Sequence, residues 1–176
     1  MFGHWERGTR ETRSFGLDHE ILQSLNHFPL HMTQNLTITK YTQLMPLSNI
    51  EEYPIYQILL RMKDLHTLTL IQSFNSEFLF ALKPSSDPSK VITCPNLKKL
   101  IIYVEMKSGF DISALKEMAK TRASRGVKLR SITIVDPGEL WSGREVFWLK
   151  KHVEHVEYRF EGNPPSWDNI PHDKSD

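Results

Sequence analysis

A spaced apolar rhythm restricts what this chain can fold into more than any other feature. In CPNLKKLIIYV, residues 94–104, large aliphatic side chains stand at Leu97, Leu100 and Ile102. The same Leu-x-x-Leu-x-Leu spacing occurs at Leu65, Leu68, Leu70 and at Leu129, Ile132, Ile134, in both cases 32 residues away. A fainter copy starts at Thr33, with Leu36 and Ile38, and a last one at Val153, Val156 and Tyr158 follows after 24 residues. A unit of this size cannot bury its apolar face alone and must stack on its neighbours. About five strand-helix units are therefore expected, in a short α/β solenoid with parallel strands on the concave side and helices on the convex side. Three successive equal gaps favour this over a doubly wound sheet.

Alternation of side chains along a strand assigns the two faces. The inward row reads Leu36 and Ile38, Leu68 and Leu70, Leu100 and Ile102, Ile132 and Ile134, Val156 and Tyr158. The outward row contains Ile71, Ile101, Tyr103 and Val135, which at a strand spacing of about 4.8 Å would lie together on an open sheet face. Thr133 falls among them, and Lys99, His155 and Arg159 form a charged rim. An aromatic anchor inside a charged rim has the composition of a protein-binding hot spot, so this face is the candidate site for another protein. The competing expectation is that the chain itself covers these residues.

Between the strands, helical signals recur. Asp111 can cap a helix that buries Leu115, Met118, Ala119 and the stem of Arg122, with Gly126 as its stop. Pro54 starts a helix over residues 55–62, and residues 76–82 form a short one carrying Phe78, Leu79 and Leu82. Ser48 with Glu51, and Ser142 with Glu145, read as capping boxes. Leu17, Ile21, Leu22, Leu25 and Phe28 recur at helical spacing, which predicts a capping helix over residues 17–28. Residues 1–14 and 164–176 lack periodicity and are expected to be irregular, leaving residues 15–163 as the repeat domain.

Charge and chemistry narrow the function. The chain has 22 Lys plus Arg against 21 Asp plus Glu, so no global attraction to polyanions is implied. The local basic cluster Lys116, Lys120, Arg122, Arg125, Lys128 and Arg130 has no interleaved aromatics, which favours a solvated helix face over a nucleic-acid site. Cys94 is the sole cysteine, which excludes an internal disulfide; just before a buried strand it reads as a small hydrophobe. His152 and His155 fall on opposite faces of an extended segment, with no further ligands at metal-binding spacing. Asp18, His19 and Glu20 are adjacent and cannot converge from one helix. Gly138, Gly143 and Gly162 form no phosphate loop, and neither a nucleophile elbow nor paired carboxylates appear, so no enzyme activity, cofactor or metal is expected. The polar start MFGHWERGTRETRS lacks the apolar core of a signal peptide, and no run approaches the roughly 20 apolar residues of a membrane span. A cytoplasmic or nuclear chain without membrane contact is expected, in which the sequon Asn35-Leu36-Thr37 is a chance match.

The run from Cys94 to Ile102 resembles the cysteine-containing leucine-rich repeat of F-box proteins, in which Cys-Pro-x-Leu-x-x-Leu-x-Leu opens a rung. The segments LKEMAKTRASRGVKLRSITIVD and LKKHVEHVEYRFEGNPPSWDNIP resemble the carboxy-terminal part of the large F-box-like families of mushroom-forming fungi. The resemblance implies a substrate-recognition module of a ubiquitin-ligase receptor. Two departures qualify it. The position after each strand where such repeats place Asn or Cys holds Tyr41, Ser73, Glu105, Pro137 and Glu161, and no F-box pattern is visible ahead of Met32. A Skp-type adaptor is thus expected only with an F-box upstream, and a stand-alone repeat scaffold is the alternative.

Overall fold

The computed structural model describes residues 12–16, 28–39, 54–71, 77–104, 111–136 and 143–160. In chain order these form β1 (Thr12–Gly16), a 3-10 turn (Leu30–Met32), β2 (Asn35–Thr39), α1 (Pro54–Arg61), β3 (Thr67–Ile71) and α2 (Glu77–Leu82). There follow β4 (Lys99–Tyr103), α3 (Ile112–Ser124), β5 (Ser131–Asp136), α4 (Gly143–Leu149) and β6 (His155–Phe160). The strands make one α/β sheet in sequence order β1 to β6, with every neighbouring pair parallel. The sheet is open, with β1 and β6 at the ends of that order.

The stride read from the sequence is the register of the sheet. Asn35 pairs with Thr67, Thr67 with Lys99, Lys99 with Ser131 and Ser131 with His155. Entry into β3, β4 and β5 is fixed by one recurring device, a carbonyl that accepts two amides from the next rung. Gln34 O accepts from His66 N at 2.8 Å and Thr67 N at 3.0 Å, and His66 O from Lys98 N and Lys99 N, both at 2.9 Å. Lys98 O repeats this with Arg130 N at 2.8 Å and Ser131 N at 3.0 Å. The leading residues Thr33, Leu65, Leu97, Leu129 and Val153 are all buried, as are the inward aliphatics of β2 to β6. Tyr158 packs half-buried against the same core.

The helices contribute the other side of that core. Pro54 opens α1, where its missing amide costs nothing, and Ile55, Ile58 and Leu59 face inward. In α2 the inward residues are Phe78, Leu79, Ala81 and Leu82. Asp111 caps α3, its carboxylate accepting from Ser113 N at 2.9 Å and Ala114 N at 3.1 Å. Gly126, at φ 75°, ends α3: Gly126 N donates to Ala123 O and Val127 N to Arg122 O, the paired bonds of a Schellman stop. α1 packs on α2, α2 on α3 and α3 on α4. The described helices thus form one continuous layer.

CPNL is a tight turn rather than the start of a strand. Leu97 N donates to Cys94 O at 3.1 Å across the turn, and Pro95 occupies the position that its fixed φ suits. Cys94 itself sits at φ 44°, in the left-handed region, and its thiol donates to Leu59 O in α1 at 3.2 Å.

Three expectations are corrected or fall elsewhere. Thr12, Arg13 and Ser14 are in β1, not in an irregular segment; β1 carries Arg13 at the register position of Leu36, which breaks the apolar rhythm that revealed the other strands. Arg122 is buried to its guanidinium, not only along its stem. Residues 17–27 of the expected capping helix over 17–28, the leading residues Ser48 and Ser142 of both capping boxes, the positions after the strands and the tail 164–176 lie outside the described residues. No described helix is long and apolar enough to cross a membrane.

Candidate partner-binding face

The sheet face turned away from the helices is organised by the register into three cross-strand rows. The first runs Asn35, Thr67, Lys99, Ser131, His155; the second Thr37, Thr69, Ile101, Thr133, Glu157; the third Thr39, Ile71, Tyr103, Val135, Arg159. All eight residues expected at the site therefore share one face of β3 to β6. Their exposure differs from the expectation of an open apolar centre. Ile71 and Val135 are only 6% and 3% exposed and Thr133 is buried, whereas Ile101 and Tyr103 are half-buried. Thr37 and Thr39 on the same face are also buried, so the part of the face around Thr39, Ile71 and Val135 is not open to solvent. Lys99, His155 and Arg159 are exposed.

Glu157 falls on this face by alternation, but its pairing is not legible in the sequence. Glu157 Oε1 accepts from Arg159 Nε at 2.8 Å, and Oε2 accepts from Thr133 Oγ1 at 3.3 Å. The Arg159 bond holds the Glu157 carboxyl below its ordinary range, with Thr133 and the nearby His155 adding to this. Glu157 thereby neutralises Arg159 and pins it. Alternation had placed Glu157 on this face, but strand periodicity carries no information about which charges pair.

The basic cluster of α3 and its exit does not form a contiguous site. Arg122 Nη1 donates to Leu82 O and Thr93 O, both at 3.1 Å, and Nη2 to Cys94 O at 2.8 Å. Arg125 reaches the carbonyls of Ser85, Asp87 and Pro88. Arg130 pairs with Glu154 at 3.7 Å, and Lys116 lies over the Trp148 ring at 5.8 Å. Two of the six cations therefore brace the loop between α2 and β4. The i, i+3, i+4 stripe Leu115, Met118, Ala119, Arg122 was the signal that Arg122 points inward.

Burial pushes the Cys94 thiol up to about 12, because a thiolate there would lose its hydration; the charge of Arg122 offsets only part of this. Burial likewise draws the Arg122 guanidinium down to about 10, still charged at neutral pH. His152 is not paired with His155: it lies in the turn after α4 with its ring 4.5 Å from that of Trp148, whereas His155 starts β6. Among the described residues no three His, Cys, Asp or Glu side chains gather as a metal-binding group. Compared with known proteins, the chain matches no family model, no curated protein and no solved structure.

Proposed function

We propose that this chain is a non-catalytic protein-interaction module, a short leucine-rich-repeat-like solenoid whose strand face away from the described helices is the concave surface that receives another protein. The observation that supports it is the β4 row: exposed Lys99, half-buried Ile101 and half-buried Tyr103 stand at successive outward positions of one strand. Such a row offers an extended partner a charge, an aliphatic contact and an aromatic contact in order. In its leading form the module is the substrate-recognition part of an F-box-like ubiquitin-ligase receptor, as the Cys-Pro-x-Leu opening of the β4 rung suggests. Ubiquitin transfer would belong to other subunits, joined through a Skp-type adaptor on an F-box.

The test is site-specific photocrosslinking in cells, with a benzophenone side chain placed at Ile101 or, as control, at exposed Lys120 on α3. A protein crosslinked from position 101 and lost in Ile101→Asp with Tyr103→Asp supports the face, given an unchanged circular dichroism spectrum. Equal crosslinking from position 120, or capture indifferent to the two Asp substitutions, rejects it. Co-purification of a Skp-type adaptor with the endogenous protein supports the ligase role, and its absence leaves a free-standing scaffold.

A further inference from the structure

No aromatic residue interrupts the basic run of α3 in the sequence, but in the fold α4 brings aromatics beside it. Lys116 of α3 stands over the Trp148 ring of α4 at 5.8 Å, and the His152 ring lies 4.5 Å from the same indole. One residue earlier on α4, Phe147 is 65% exposed, with the Lys151 ammonium 5.6 Å from the centre of its ring. Lys150 and Lys151 follow in the turn after α4, and Lys120 stands one helical turn beyond Lys116; all three are exposed. Among the described residues no carboxylate pairs with these three. Glu117, next to Lys116, is engaged by Lys83 at 3.9 Å, and Glu154 by Arg130 at 3.7 Å.

We propose that this outer surface of α3 and α4 binds single-stranded nucleic acid without base specificity. The surface belongs to the helical layer and stands independently of the strand face. Phosphates meet the ammonium groups of Lys120, Lys150 and Lys151, whose charge no described acid neutralises, while an unstacked base lies on the exposed ring of Phe147. A duplex keeps its base faces stacked inside and offers Phe147 nothing to cover, so a single strand is preferred. A membrane surface is disfavoured. α4 has seven residues, Leu149 is fully buried and Val146 half-buried, which leaves Phe147 alone to insert.

Fluorescence anisotropy of a labelled oligouridylate of about twelve nucleotides, titrated with the full chain, is the test. The expected result is saturable binding whose log affinity falls against log salt with a slope of about −2, as three phosphate contacts to a single strand require. Phe147→Ala lowers the affinity about tenfold and leaves the slope unchanged, because a stacked base releases no counterion. Lys150→Glu with Lys151→Glu brings the slope to less than about half. Ile101→Asp with Tyr103→Asp, on the strand face, changes neither, and circular dichroism spectra matching the parent restrict each comparison to folded protein. The absence of saturable binding at about 50 mM salt overturns the site. Equal affinity of Phe147→Ala and the parent, or displacement by polyglutamate as effective as by unlabelled oligouridylate, overturns nucleic-acid recognition and leaves lysines that attract any polyanion.

Discussion

Arg122 Nη2 donates to the carbonyl oxygen of Cys94 at 2.8 Å, joining the last turn of α3 to a residue held at φ 44°. The same guanidinium reaches Leu82 O and Thr93 O, so one buried cation satisfies carbonyls at both ends of the loop between α2 and β4, with no carboxylate partner among the described residues. Among the described residues its charge is balanced by carbonyl dipoles. Arg122→Ala should therefore cost about 3–5 kcal/mol, since Leu82 O, Thr93 O and Cys94 O lose the guanidinium at once and only Cys94 O keeps a backbone donor, Leu97 N. Arg122→Lys should recover less than half of that loss, because an ammonium lacks the planar fork that spans separated carbonyls. Urea midpoints of the three proteins measure this; an Arg122→Lys variant as stable as the parent would contradict the fork's role.

Cys94 is the only cysteine of the chain, so its chemistry can be followed without interference. Burial and a thiol pKa pushed up to about 12 predict that a disulfide reagent labels it only when the protein opens. The folded value lies above the ordinary value of 9.0, so the favourable contribution is complete below pH 9 and is lost as pH rises toward 12. Over that window the parent should lose stability relative to Cys94→Ala at up to about 1.4 kcal/mol per pH unit. Parallel stability curves for the two proteins across that window would show that the thiol titrates normally.

The cap of α3 gives a smaller effect with a clean control. Asp111→Ala should lower stability by about 1 kcal/mol, and Asp111→Asn should retain most of it, because an amide oxygen can still accept from Ser113 N and Ala114 N. Equal losses for both variants would assign the effect to charge rather than to the hydrogen bonds.

How much could be read in advance depends on which physical signal each feature leaves. Strands β2 to β6 announce themselves because inward aliphatics must recur at fixed spacing for neighbouring rungs to share a core. β1 does not, because Arg13 stands where the register calls for an aliphatic and only pairing with β2 defines the strand. The outward row was legible in direction but not in depth: alternation says that Val135 points away from the helices, and carries no information on its burial. Arg122 and Arg125 were legible as residues of one helix, yet nothing local to α3 states that the carbonyls of a loop some 30 to 40 positions earlier will close around them. Pairings that depend on the tertiary meeting of two segments leave no periodic trace.

Adjacent residues of β4 should therefore respond oppositely to truncation. Ile102 is fully buried among Leu70, Ile134 and the helical layer, so Ile102→Ala should cost about 2–5 kcal/mol. Ile101, half-buried on the other face, should cost less than about 1.5 kcal/mol as Ala. A reversed order in thermal melts would invert the face assignment, and with it the candidate site.

The first rung carries an internal flaw that predicts a stabilising change. Thr33 occupies the leading position that Leu65, Leu97 and Leu129 hold in later rungs; it is fully buried, and its hydroxyl has no hydrogen-bond partner. Thr93 is also buried, but its hydroxyl donates to Ala81 O at 2.6 Å. The same isosteric substitution should then have opposite signs at the two sites. Thr33→Val removes an unsatisfied polar group and should raise stability by about 1–2 kcal/mol, whereas Thr93→Val leaves Ala81 O without a side-chain donor and should lower it by a similar amount. Denaturant midpoints of the two variants decide the matter. Destabilisation by Thr33→Val would mean that the Thr33 hydroxyl is bonded in solution, and that the first rung is packed as well as the others.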